Sequence, residues 1–381
     1  MTIEDLALYF TKGLGSRGAA HLVDHFGSAE RIYEASLSEL INDAGLRPEI
    51  AKRIVAHEGM REAEQEIKYC QRHDIRIISA TDKEYPEALR ATIDRPHILF
   101  VMGNVEALGK QCLAMVGTRE ITPSGIHSAN ILIKDLGEQV DNLCIVSGLA
   151  YGIDICAHRT ALDNGLPTIG VMATGPETVY PYRHKEFAER LWQTPGCALV
   201  TDYPPGTAPL AIHFLRRNRI IAGLADATIL IESKSRGGGM TTSRLAFSYS
   251  RDVYALPGRA DDVRSQGCNR LIREKIAEPL ISIEDLIGSL GLEKRSGNRK
   301  ISPVEILKQH LGKQCSSEQI EDMGKILYTI RNERGITTEE IALKTGMDYM
   351  KVSRITGFLE MEGLICIDLL QRCTLETKIF R

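Results

Sequence analysis

The chain has 381 residues, more than one hydrophobic core usually organises, so two or three domains are expected. Its 43% hydrophobic and 25% charged residues are ordinary for a soluble globular protein, and a formal net charge of −3 excludes a surface that coats polyanions throughout. A nucleic-acid site, if present, must be a local patch.

No apolar run reaches the ~18 residues of a membrane-spanning helix, and the acidic start MTIEDLALYF lacks a signal peptide's basic flank. The nine cysteines are scattered without zinc spacing. These features predict a cytoplasmic protein with reduced thiols, no structural metal and no membrane insertion.

Residues 1–60 read as short helices. In KGLGSRGAAHLVDHFGS a Gly-Leu-Gly turn at 13–15 precedes a helix, and a looser copy surrounds Gly45 in DAGLRPEIAKRIVAH. A glycine turn opening a helix leaves free N–H groups that suit a phosphate, so the segment resembles a helix-hairpin-helix (SAM-like) module. Six Lys and Arg against nine Asp and Glu make a poor electrostatic footprint there, which leaves a plain helical bundle open.

Residues 61–111 begin with a charged helix over 61–73, and IRIIS and PHILFVMG are placed to add edge strands. From 112 to about 285, CLAMVGT, LCIVSGLA, PTIGVMATG, ALVTDYP, ATILIES and DVYALPG are short apolar runs ending in Gly, Ser, Thr, Asp or Pro. Amphipathic stretches at 124–139, 153–164 and 240–250 separate some of them. This pattern predicts an α/β domain over 61–285, built on a parallel sheet covered on both faces.

LIGSLGLEKRSGNRKI, residues 286–301, is Gly-, Ser- and Lys/Arg-rich without periodicity and reads as a linker. Residues 302–381 read as a three-helix unit with a hairpin. The first helix covers about 324–334, TTEEIALKTG carries a Thr cap, DYMKVSRITGFLEMEG follows, and LICIDLLQRCTL is strand-like. Helix-turn-helix plus wing, a winged helix, describes it.

In such a sheet, ligands sit beyond the carboxyl ends of the strands. VGTRE offers Gly117, Thr118 and Arg119; SGLAYGID offers Ser147, Gly148 and Gly152; ESKSRGGGMTTS offers Lys234, Arg236, Gly237, Gly238, Gly239, Thr241 and Thr242. None fits GxGxxG or a P-loop, which argues against a nucleotide cofactor. Within 214–251, Arg216, Arg217, Arg219, Lys234, Arg236, Arg244 and Arg251 face only Asp226 and Glu232. The run FLRRNRIIAGLADATILIE is expected to place Arg216–Arg219 in a helix's first turn, where cations oppose the dipole unless an anion is bound. A solvated basic face is the bland alternative.

Asp154 and His158 lie four apart and are read as a capping or packing pair, since no nucleophile accompanies them. Glu232 is expected to orient arginines as an ion-pair partner. Tyr180 and Tyr182 in VYPYRH either stack on a base or pack under a proline turn.

MVGTRE, IVSGLAYGIDICAHRTALDNGLPTIGVMATGPETVYPYRH, FLRRNRIIAGLADATILIES, GGGMTT, RDVYALPG and SQGCNRLI together resemble the DprA (Smf) family of bacterial DNA-processing proteins. That resemblance implies an extended Rossmann-like fold with helical and winged-helix flanks. It also implies a homodimer that binds single-stranded DNA, protects incoming DNA and loads the recombinase RecA in natural transformation, with no cofactor and no catalysis. Carried over by position, the implied DNA-binding residues are Gly117, Thr118 and Arg119, then Arg216, Arg217, Asn218 and Arg219, with Leu215 standing where the family has Pro. Gly237, Gly238 and Gly239 replace a Ser-containing loop. About four neutralised phosphates would give a log–log salt slope near −3.

Two rival readings carry other functions. The sheet also resembles phosphoribohydrolases of the lysine-decarboxylase-like type, but RGGGMTTSR places Arg244 where their PGGxGTxxE motif has its catalytic Glu. A winged-helix regulator would read DNA with Lys351 and Arg354. Asp348, Glu360 and Glu362 on the same helix favour a protein contact instead.

Overall fold

A computed structural model describes residues 1–295, 307, 311, 315–333, 335–368 and 370–375. The chain divides into two units, Met1–Arg295 and Ser296–Arg381.

The first unit opens with helices α1 (Ile3–Phe10), α2 (Gly15–Phe26), α3 (Ala29–Glu34), α4 (Pro48–Val55) and α5 (Met60–Arg72). The capping box that Thr2 forms with Asp5 starts α1. Gly13 (φ 86°) and Gly15 (φ 67°) then turn the chain into α2, as their spacing predicts. Leu6, Leu8, Leu22, Ile32 and Ile54 close one apolar cluster that also contains Ile98 and Phe100. The boundary expected at residue 60 therefore falls inside a shared core.

The sheet follows: β1 (Arg76–Ser79), α6 (Glu87–Arg90), β2 (Ile98–Gly103), β3 (Gln111–Val116), α7 (Pro123–Gln139), β4 (Leu143–Ser147), α8 (Ile153–Asp163), β5 (Thr168–Val171), α9 (Lys185–Gln193) and β6 (Ala198–Thr201). Next come α10 (Ala211–Leu224), β7 (Ala227–Leu230), α11 (Gly238–Ser248), β8 (Asp252–Ala255), α12 (Gln266–Arg273), β9 (Glu278–Pro279) and α13 (Ile283–Ser289). Strand order is β1-β2-β6-β5-β4-β3-β7-β8-β9, parallel from β6 to β9, with β1 and β2 antiparallel at one edge.

Alternation along β3 shows why both faces are covered. Cys112, Ala114 and Val116 enter one apolar layer with α10, α11 and α12, while Leu113 and Met115 enter the other with α7, α8 and α13. From β3 the chain winds outward through β4, β5 and β6, then returns to place β7 on β3's other side. The helices after β3 and β7 lie on opposite faces, so a crevice opens between these strands.

Residues 286–295 correct the expected linker. Leu286, Ile287 and Leu292 are buried in the second layer, and Arg295 bonds to Asp141 and to the Gly137 carbonyl. The remainder, 296–301, lies outside the described residues.

The second unit contains α14 (Ser317–Asn332), β10 (Ile336–Thr337), α15 (Thr338–Thr345), α16 (Tyr349–Met361), β11 (Ile365–Ile367) and β12 (Arg372–Leu375). Its first described helix starts earlier than expected, because Ser316 and Gln319 form a capping box. The strands pair in the order β10-β12-β11 over Ile326, Leu327, Ile341 and Leu359.

His158 belongs to the fold rather than to a reactive pair. Its ring is fully buried, and Nδ1 donates to Thr168 Oγ1 (2.7 Å), whose hydroxyl donates to the Ile145 carbonyl (2.7 Å). Burial, then the nearby Arg217 charge, pushes its pKa down to about 3. The unfolded chain takes up this proton near pH 6.5 whereas the folded chain does not, so the contribution is complete above 6.5 and is lost as pH falls toward 3. Urea denaturation is expected to show wild type losing about 2 kcal/mol relative to His158→Gln between pH 7 and 5.

Candidate nucleic-acid interface

The crevice between β3 and β7 forms a cleft of about 550 Å³. The loop after β3 supplies Gly117, Thr118 and Arg119, the loop after β7 supplies Lys234 and Arg236 to Gly239, and α10 forms a wall with Phe214, Arg217 and Asn218. The loops touch at backbone distance. A Cβ on Gly117 would stand 2.5 Å from Ile153 Cγ1 and 2.8 Å from the Glu232 carbonyl, and one on Gly239 would stand 3.0 Å from Gly117 Cα. The Thr118 N–H donates to the Glu232 carbonyl (2.8 Å) across this seam.

Glu232 does not orient arginines. Its carboxylate accepts from Thr122 N (3.0 Å) and Thr122 Oγ1 (2.7 Å), and Thr122 in turn caps α7. The acid at the end of a buried strand fixes the start of a neighbouring helix.

The arginine run also departs from expectation. Helix α10 begins at Ala211, so Arg216–Arg219 lie in its second and third turns, beyond the N-terminal dipole. Each residue advances the helix by about 100°, so adjacent arginines cannot share a face. Phe214, Arg217, Asn218 and Ile221 face the cleft at helical spacing. Arg216 is exposed and, with Arg219, is directed toward Asp202 and Tyr203. Arg219 bonds to Asp202 and to the Asp94 carbonyl.

Arg217 is only 3% exposed, too deep to track a strand. Its Nη1 donates to the carbonyls of Gly148 (2.5 Å) and Val171 (2.6 Å), tying α10 to the ends of β4 and β5. Burial lowers its pKa to about 10, opposed by Asp154, so it stays charged at neutral pH. The half-buried Asp154 lies at the cleft floor, its pKa raised by burial and drawn back by Arg217. Ser147 and Gly148 are buried as well: Ser147 Oγ donates to the Met115 carbonyl (2.6 Å), and Gly148 leaves room for the Arg217 guanidinium. Neither is presented to solvent.

The cleft-lining cations that are exposed are Arg119, Lys234 and Arg236. Lys234 is tied to Glu120 at 3.0 Å, with Arg264 at 3.9 Å from the same carboxylate. Arg119 and Arg236 are exposed, and Arg119 lies over the Phe214 ring, 6.0 Å from its centroid. Phe214 meets Tyr180 edge-on at 5.1 Å. Gly237 and Gly238 are exposed where the eleven-residue α11 begins, an arrangement suited to an anion. Thr241 is exposed one residue outside the lining, its hydroxyl 3.4 Å from the Gly237 carbonyl.

The residues brought together are thus Gly117, Thr118, Arg119, Arg217, Asn218, Lys234, Gly237, Gly238 and Gly239, with Phe214, Arg236 and Asp154 added. The spacing of Phe214 and Arg217 on one helix face was the signal for the ring. Arg244 points away and pairs with Glu274. Among the described residues no group of three or more His, Cys, Asp or Glu is placed to hold a metal, and no helix is long and apolar enough to cross a membrane.

Residues 76–291 match the family described as DNA recombination-mediator protein A. DNA processing protein DprA of Streptococcus pneumoniae is 40% identical over 196 residues, spanning 51% of this chain and 68% of the relative. The X-ray structure of DprA from Streptococcus pneumoniae is similar with a TM-score of 0.66 and 31% identity, over 76% of this chain and 98% of that one. DNA processing protein A from Helicobacter pylori, solved for its single-stranded DNA binding mode, gives 0.51 and 27%, over 57% and 95%.

Arg217 and Gly148 are expected to be coupled. Arg217→Ala strands two buried carbonyls and costs about 2–3 kcal/mol of stability. Gly148→Ala forces a methyl into the guanidinium and also destabilises. In the double variant the second cost disappears, so a denaturation double-mutant cycle returns a coupling energy above about 1 kcal/mol.

Proposed function

The chain belongs to the DNA recombination-mediator protein A (DprA/Smf) family, and from that membership and the chemistry of its cleft we propose that it binds single-stranded DNA there. In this reading it protects incoming DNA and loads the RecA recombinase during natural transformation, acting as a cytoplasmic homodimer. The supporting observation is Arg119: exposed, lying over the Phe214 ring, and lining the same cleft as Arg236 and the opening turn of α11. A cation beside an aromatic ring serves a phosphate and a base together, whatever the base, because every base has a π-face.

The charge available is smaller than the arginine run implies. Arg217 and Arg219 are engaged by buried protein acceptors, leaving Arg119 and Arg236 for phosphates, together with Lys234 once a phosphate displaces its exposed partner Glu120. Three contacts on a single strand give a log–log salt slope near −2 rather than −3. The three helices and hairpin of the second unit are assigned as a winged helix that contacts protein. Lys351, the cation a groove reader would use, is held by Asp322 at 2.5 Å, while Leu343 and Met350 are exposed.

Gel-shift titrations with oligothymidylate over a salt series test the cleft. Arg119→Ala and Arg236→Ala are each expected to weaken binding by about 1 kcal/mol or more and to flatten the slope by ~0.7, with the circular dichroism spectrum unchanged. Phe214→Ala should weaken binding by ~1–3 kcal/mol without altering the slope, since stacking releases no counterion. Unaltered affinity in all three variants would remove the cleft as the binding site.

A further inference from the structure

Beyond the point where Tyr180 meets Phe214, the same edge of the sheet carries more aromatic surface. Strand order runs β7-β3-β4-β5, so the loops after β4 and β5 continue the rim begun by the two cleft loops. The loop after β4 contains Tyr151, and the turn after β5 contains Tyr180, Tyr182 and Arg183. Tyr151 is 44% exposed, its ring standing edge-on to His184 at 5.0 Å. His184 is itself buried and anchored by a 2.7 Å bond between Nδ1 and the Leu149 carbonyl.

Tyr182 is 77% exposed, an unusual position for so large a ring with no fold to support. Lys185 Nζ lies 6.0 Å from its centroid, Arg183 beside it is exposed, and Lys185's own carboxylate partner, Glu189, is a loose 3.8 Å away. Rings flanked by cations and continuous with a stacking cleft suit an unpaired polynucleotide better than an apolar protein partner, which would leave those charges desolvated and unpaired.

We propose that Tyr182, with Tyr151, Arg183 and Lys185, forms a second stacking platform that carries a single strand out of the cleft across the ends of β4 and β5. This rests on the cleft being the single-stranded DNA site. It makes the binding site longer than the cleft, with a stacking step at each end.

The test is a pair of fluorescence-anisotropy titrations of the full chain, one with an oligothymidylate just long enough to fill the cleft and one several times longer. Tyr182→Ala is expected to weaken the long strand about tenfold and leave the short one unchanged, while Tyr182→Phe, which keeps the ring, binds both as wild type does. A thermal melt matching wild type verifies that the variant is folded. Equal long-strand affinity for Tyr182→Ala and wild type overturns the platform and leaves the cleft standing, as does an equal loss on both lengths. Wild type binding neither strand overturns the cleft, and the platform with it.

Discussion

A buried guanidinium holds the interface together. Arg217 reaches from α10 to the carbonyls that end β4 and β5, and it can do so because Gly148 has no side chain. Charge in such a place costs several kcal/mol, and here the two carbonyls bound by Nη1 and the field of Asp154 offset part of that cost, while the buried Nε has no partner. The same anchor sets the rotation of α10, which brings Phe214 round to Arg119 three residues before it. Its charge also adds to the burial that keeps His158 neutral beneath the floor. The cleft's positive potential therefore has two tiers, a buried cation below and exposed ones above.

Close backbone contact completes the frame. Gly117 and Gly239 meet without side chains between them, and Glu232 spans from the end of β7 to the cap of α7. Such a junction resists spreading, so a strand bound as proposed would meet preformed donors rather than order them on arrival.

How much of this the residues announce depends on what determines each feature. Strands such as CLAMV and ATIL are legible because a parallel strand covered on both faces is apolar throughout. Helix α10 is harder to place: its N-cap is Leu210, with no side-chain hydrogen bond, so nothing in the letters marks where it starts. Contiguity then misleads, since RRNR looks like one patch but winds round a cylinder, sending Arg217 inward and Arg219 to Asp202. The segment after 285 misleads in the opposite sense. Its glycines and cations suggest a tether, yet Leu286, Ile287 and Leu292 find places in the core. Ser147 and Gly148 sit at a strand end and loop start of the right type, but only the fold shows that a neighbour occupies the space above them.

The antiparallel pair β1–β2 has a different implication. Ile98 and Phe100 turn one side of β2 toward the amino-terminal helices, with Leu6, Leu8 and Leu22 among the residues of that cluster. Those helices act as a permanent cover for the sheet's margin rather than as a tethered accessory. A fragment beginning after them would bare a greasy flank and become sticky, so any duty they acquire on a polynucleotide must be performed without ever letting go of the body they shield.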